Sequence, residues 1–197
     1  DEVFGMHVMG NFPSGKIAVG EGPRMASADM FRIKVKGVGG HGSMPNYGVD
    51  ALVAASAIVM NLQTVVSREV SPMESAVVSV GKLVSGTRFN VIADEAIMEG
   101  TTRCFSYEVR EQLPAAMERI VKSTAASYRA EAEFEYNFLT APTINNKEST
   151  ERAKKAIEKI MSEDAVMEMP KTAGAEDFSE YLEMVPGTFA IVGTANK

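Results

Sequence analysis

Two histidines, one asparagine, one arginine and one glycine-led acidic loop are the residues of this chain best suited to chemistry. His41 lies within Gly39-Gly40-His41-Gly42-Ser43-Met44-Pro45, between an alternating run (Met30 to Lys36) and an apolar stretch opening near Asp50. The glycines allow positive φ and close approach of another chain or a ligand, and Pro45 fixes the exit direction. An imidazole held in such a turn can donate a hydrogen bond, or a positive charge, near neutral pH. His7 follows Gly5 in an apolar run and has two readings. It is either a metal ligand through a neutral ring nitrogen or a satisfied core histidine. No second histidine, cysteine or carboxylate pair lies near it at ligand spacing, so any metal must take ligands from elsewhere.

Asn90 follows Gly86-Thr87-Arg88-Phe89. Its amide can donate and accept to a substrate, or it can simply cap a turn. Arg103 ends the run Gly100-Thr101-Thr102-Arg103. Its guanidinium could grip a carboxylate bidentately, or pair across strands. His41, Asn90 and Arg103 each fall near an element end, and three convergent groups of this kind suit a carboxylate- or amide-bearing substrate. Gly174-Ala175-Glu176-Asp177-Phe178 reads as a tight loop into a helix. Its N–H groups could receive an anion, or Asp177 could be the N-cap. Cys104 reads as a small buried residue, and the 13 methionines as core filler.

The elements that must position these groups follow from periodicity. Strands are expected at 3–9 and 16–20 around Pro13-Ser14-Gly15, then at 28–37, 75–84, 96–105, 130–139 and 188–193. Helices are expected from Val49 to about Arg68, from Tyr107 to about Tyr128 with Pro114 interrupting it early, from Lys147 to Glu163, and from Asp177 to Met184. Pro142 is expected to open a linker. Residues 28–139 then run strand, helix, strand, strand, helix, strand, the α+β order of the ferredoxin-like split βαβ sandwich. Residues 1–27 and 140–197 read as pieces of a second, incomplete domain. The chain opens and stops at strand-like runs, so it is expected to be part of something larger.

Composition narrows the classes. The 197 residues are 45% hydrophobic and 23% charged, ordinary for a globular protein. A net charge of −6 argues against nucleic acid as the main partner. The longest apolar stretch, Ala51 to Met60, reads as a core helix rather than a membrane span. One cysteine excludes an internal disulfide framework and fits a reducing, cytoplasmic setting.

Taken in order, the motifs resemble the metal-dependent amidohydrolases of the aminoacylase and carboxypeptidase type. The branch of hippurate hydrolases and N-acyl-amino-acid amidohydrolases is the most similar. The matching text is Phe4-Gly5-Met6-His7-Val8, Pro13-Ser14-Gly15-Lys16-Ile17, Gly37 to Pro45, Gln63 to Glu69, Phe89 to Asp94, Glu99 to Arg103, and Gly174 to Phe178. The resemblance implies a ferredoxin-like lid and dimerisation domain (28–139) inserted in an α/β metallo-exopeptidase-type catalytic domain, here incomplete (1–27 and 140–197). It implies that His7 is a metal ligand, and that His41 reaches the partner subunit's site to polarise the scissile carbonyl. It implies that Asn90, Arg103, Gly174 and Ala175 contact substrate. Two divalent ions, zinc or manganese, a homodimer formed through the lid, and an N-acyl amino acid or peptide substrate are implied with them. The family's upstream ligands, its Glu-Glu pair with the general base and its final ligand histidine have no match in this chain. By itself the chain is therefore expected to hold metal poorly and to be inactive. The rival expectation is a non-catalytic dimerisation or binding module; a dipeptidase of the same family differs only in substrate.

Overall fold

A computed structural model describes residues 1–196. In chain order the elements are β1 (Val3–Pro13), β2 (Ile17–Ala18), β3 (Gly22–Met25), β4 (Ala28–Lys36), β5 (Gly40–His41), α1 (Ala51–Thr64), β6 (Ala76–Ser85), β7 (Val91–Ile92), β8 (Glu95–Cys104), α2 (Tyr107–Ser127), β9 (Glu131–Thr140), β10 (Thr143–Asn145), α3 (Lys147–Ile160), β11 (Val166–Met167), α4 (Ser179–Met184) and β12 (Gly187–Ala195). The mixed α/β chain forms two compact units. One is Asp29–Leu139; the other joins Asp1–Ala28 to the segment from Thr140 onward.

In the Asp29–Leu139 unit the sheet order is β6-β8-β4-β9. β8 runs antiparallel to both β4 and β6. The period-2 pattern of β4 buries Phe31, Ile33 and Val35 and turns Arg32, Lys34 and Lys36 to the other face. Ile58 and Leu62 of α1 and Leu113, Met117 and Val121 of α2 join those residues and Met98 in one core. Each such side chain contributes about 1.5–3 kcal/mol by leaving water. The opposite face is wet and carries the pairs Lys34–Glu95, Lys36–Glu133 and Lys82–Glu99, as an antiparallel sheet permits.

Helix starts follow the side chains that cap them. Asp50 accepts from the N–H groups of Leu52 and Val53 at 3.0 and 3.1 Å, and so opens α1. Ser106 opens α2 and Asn146 opens α3 in the same way. Three expectations need correction. Pro114 does not interrupt α2, which runs unbroken through it; tertiary packing of Leu113 and Met117 outweighs one lost hydrogen bond. The stretch after Pro142 is not a plain linker, because Thr143–Asn145 pairs antiparallel with β3. The helical stretch Ala51–Glu69, 19 residues including a π-turn at Val65–Glu69, is long and apolar enough to cross a membrane by those criteria alone. Reading only Ala51–Met60 missed this. A core helix passes the same test, and Ala51, Ala54, Ala55, Ile58 and Leu62 are buried.

In the other unit the sheet order is β1-β12-β2-β11. β12 pairs parallel with β1 and antiparallel with β2. As a central strand it is buried from Gly187 to Ile191, which explains its near-continuous apolar run. Asn145 fixes this strand: its amide donates to the carbonyls of Gly20 and Phe189 and accepts the Phe189 N–H, all at 2.8–2.9 Å.

Candidate functional site

His7 and Gly5 project from the same face of β1, because side chains alternate along a strand. A methyl group at Gly5 would meet the Phe178 ring at 2.6–2.8 Å, so the missing side chain is what lets the ring lie on the strand. Phe178 also packs against Phe189 and Tyr181, with centroids 5.7 and 5.6 Å apart. Two residues before this anchored ring stands Glu176, whose Oε2 is 2.9 Å from His7 Nδ1. The carboxylate side chain is only 12% exposed, the imidazole 54%. The sequence showed no carboxylate near His7 because this one lies 169 residues away. The matched spacings, Gly-x-His on a strand and Glu-x-Phe in a loop, were the available signal.

The same loop holds Gly174 and Ala175. The Gly174 N–H donates to Thr172 Oγ1 at 3.3 Å and its carbonyl accepts the Ala26 N–H at 3.0 Å. The loop is thus built beside the His7 strand, but the Asp177 cap does not form. Helix α4 opens at Ser179 with Phe178 in the N-cap position and no side-chain cap bond.

His41 is placed by a two-rung ladder. β5 pairs antiparallel with β7, setting His41 opposite Val91. The Gly42 N–H donates to the Asn90 carbonyl at 2.8 Å. A Cβ at Gly42 would lie 2.9 Å from that oxygen, so the contact requires glycine. Ser43 then turns back on the ring: its N–H donates to His41 Nδ1 at 3.2 Å, with Ser43 Oγ at 2.8 Å. A backbone N–H can only donate, so Nδ1 holds the lone pair and the neutral ring carries its hydrogen on Nε2. Beside it lies a cavity of about 700 Å³ lined by Gly40, His41, Thr87 and Asp94. A neighbouring one of about 540 Å³ is lined by Gly42, Asp50, Arg88 and Phe89.

Arg103 is not with them. The register sets Ala96 opposite Ser85 at one end of β8 and Arg103 opposite Val77 at the other. Seven residues at roughly 3.3 Å each separate the two ends by about 23 Å. His41 and Asn90 belong to the Ala96 end. The three groups expected to converge therefore do not meet within one copy of this unit.

Among the described residues no three His, Cys, Asp or Glu side chains gather as a metal site. The residues present fit a metal in one respect only: His7 offers a single nitrogen with a carboxylate behind it.

The structure thus has two compact α/β units, with an imidazole–carboxylate pair in one and a glycine-framed imidazole in the other. The chain belongs to peptidase family M20/M25/M40, which it matches over residues 1–197. It is 42% identical over 193 residues to an N-acetylcysteine deacetylase of Bacillus subtilis (98% of this chain, 50% of the relative). It is 37% identical over 198 residues to thermostable carboxypeptidase 1 of Saccharolobus solfataricus (100% and 50%). A solved Bacillus subtilis structure, titled a dinuclear metal-binding peptidase of the M20 family, superposes with a TM-score of 0.83 at 35% identity (100% and 49%). The chain spans about half the length of the curated relatives it matches.

Proposed function

We propose that this chain is part of a metal-dependent hydrolase that cleaves the amide bond of N-acyl amino acids. In this reading residues 28–139 are a ferredoxin-like lid and dimerisation domain, and residues 1–27 and 140–197 belong to the catalytic domain. The strand order β6-β8-β4-β9, with α1 and α2 sharing one core, supports the lid reading. The names of the deacetylase and carboxypeptidase relatives support amide cleavage next to an amino-acid carboxylate.

The roles follow from the groups. His41, with its hydrogen on Nε2, suits donation to a carbonyl oxygen as charge develops there. Asn90, beside it, can donate and accept. Arg103 suits bidentate capture of the substrate carboxylate, which positions the scissile bond. His7 is one ligand of a divalent pair, zinc or manganese, whose further ligands would come from outside these residues. Such ions, when bound, supply Lewis-acid polarisation and a water of lowered pKa. Gly174 and Ala175 line the substrate beside them. A cytoplasmic setting fits the single, buried Cys104.

The observation that carries this reading is the separation of His41 from Arg103 along β8. If both act on one substrate, the two must come from different subunits of a homodimer. Exposed Val77, Leu83 and Val84 on edge strand β6, with Leu52, Val53 and Met60 on α1, supply an apolar surface for it. The other edge strand, β9, exposes Glu131, Glu133 and Glu135 along its first half, with Phe138 and Leu139 exposed near its end. The test is complementation in the full-length protein. His41→Ala and Arg103→Ala dimers should each be nearly inactive. Unfolded and refolded together, they should regain about a quarter of wild-type activity, because half the dimers are mixed and each holds one intact site. Failure to regain activity sinks the shared-site reading. The second reading is a non-catalytic dimerisation module, for which the exposed apolar residues of β6 and α1 would serve equally well. Wild-type full-length protein without hydrolase activity on N-acyl amino acids would select it.

A further inference from the structure

We propose that Glu176 is a positioning residue for His7: its carboxylate holds the imidazole as the Nδ1–H tautomer and leaves the Nε2 lone pair free for a divalent cation. The cation clause rests on the reading of His7 as a metal ligand. The tautomer clause rests on geometry alone.

Glu176 Oε2 lies 2.9 Å from His7 Nδ1, a hydrogen-bonding distance. A carboxylate at neutral pH can only accept. A neutral His7 with its hydrogen on Nε2 would turn a lone pair towards that oxygen, which is repulsive. The hydrogen must therefore sit on Nδ1. The Glu176 side chain is 12% exposed, so it has exchanged most of its water for this donor. Its position does not depend on the bond itself. Phe178, two residues on, is seated on Gly5 and against Phe189, so the loop arrives beside His7 by apolar packing. Pre-placed carboxylates behind a ligand imidazole fix ring orientation and raise its basicity.

The contrast with His41 sharpens the assignment. There the ring partner is a backbone donor, the Ser43 N–H, and the hydrogen is driven to Nε2. The chain's two histidines are thus set in opposite tautomers by opposite partners. A ligand needs a lone pair where a carbonyl-polarising group needs a hydrogen.

¹⁵N-labelled, metal-free full-length protein at about pH 8.5, well above the ordinary histidine pKa near 6.5, can be read by long-range ¹H–¹⁵N correlation. His7→Ala and His41→Ala assign the rings. His7 should show a protonated Nδ1 and a lone-pair Nε2, and His41 the reverse. Glu176→Ala should move His7 towards the Nε2–H form, whereas Glu176→Gln, which keeps an acceptor oxygen, should retain Nδ1–H. A wild-type His7 already in the Nε2–H form overturns the positioning role, and that result needs no variant to fold. So does a Glu176→Ala protein that folds and keeps Nδ1–H. Zinc titration separates the two clauses. Glu176→Ala should weaken zinc binding about 10- to 100-fold, and His7→Ala more. If His7→Ala binds zinc as tightly as wild type, the ligand reading falls while the tautomer result stands.

Discussion

Asp29 and Leu139, 110 residues apart and the first and last residues of one compact unit, are joined by a 2.9 Å hydrogen bond from the Leu139 N–H to Asp29 Oδ1. The same carboxylate takes a bidentate pair from Arg110, Nε to Oδ2 at 2.9 Å and Nη2 to Oδ1 at 2.7 Å. The Asp29 side chain is fully buried and Arg110 is 11% exposed. The points where the chain enters and leaves this unit are thus clamped together by one acid.

Asp29→Ala should take the bidentate acceptor from the buried Arg110 guanidinium and free the Leu139 amide. Breaking a buried pair from one side costs about 3–5 kcal/mol. Urea unfolding should show a matching drop in stability. A loss under 1 kcal/mol would mean that the carboxylate is not the clamp.

Gly5→Ala should displace the Phe178 ring, since the new methyl would stand 2.6 Å from it. Overpacking of this kind costs about 1–3 kcal/mol. Because Phe178 anchors the Glu176 loop, the His7–Glu176 bond should weaken with it, and the His7 tautomer should become mixed. Thermal melts and nitrogen shifts on the same sample check both effects. Unchanged melting together with an unchanged tautomer would contradict the packing argument.

Tyr136 ties alkaline pH to stability. Burial holds its hydroxyl well above the usual tyrosine value, and nearby Asp29 adds to this. The hydroxyl is 2.5 Å from Thr102 Oγ1 and 3.4 Å from Asp29 Oδ2. Below about pH 10 the tyrosine is protonated in both states, and its contribution is fully present. Above that the unfolded chain ionises first and binds fewer protons than the folded one, so stability falls as pH rises. Tyr136→Phe should flatten this decline between pH 10 and 11.5 while lowering stability at pH 7. Denaturant midpoints of the two proteins at pH 7, 10 and 11.5 decide it. Parallel curves above pH 10 would exclude the tyrosine.

Val84, 56% exposed on edge strand β6, tests the proposed homodimer. A lysine on an open strand edge opposes edge-to-edge pairing. Val84→Lys should shift full-length protein from dimer to monomer in light scattering, with melting temperature little changed if the subunit itself is intact. A persistent dimer would move the interface elsewhere.

Much of this was legible locally. Period-2 alternation marked β4 and β9, and the buried faces obey it. Asp50 marked the start of α1. Short strands were not legible: β3 and β10 are held by pairing with each other, not by any pattern of their own. Pro114 misled because propensity is local while the α2 core contacts are not.

By itself the sequence determined the long strands and helices, the charge balance, the glycine frame around His41 and the family to which the order of motifs belongs. These follow from residue type and spacing along the chain, where side-chain periodicity and turn chemistry act over a few residues. Only the tertiary structure decided which groups meet. It joined His7 to Glu176 across 169 residues, closed Asp29 on Leu139, and parted Arg103 from His41 along β8. Such pairings depend on register and on which apolar faces pack together, and no short window of sequence contains both partners.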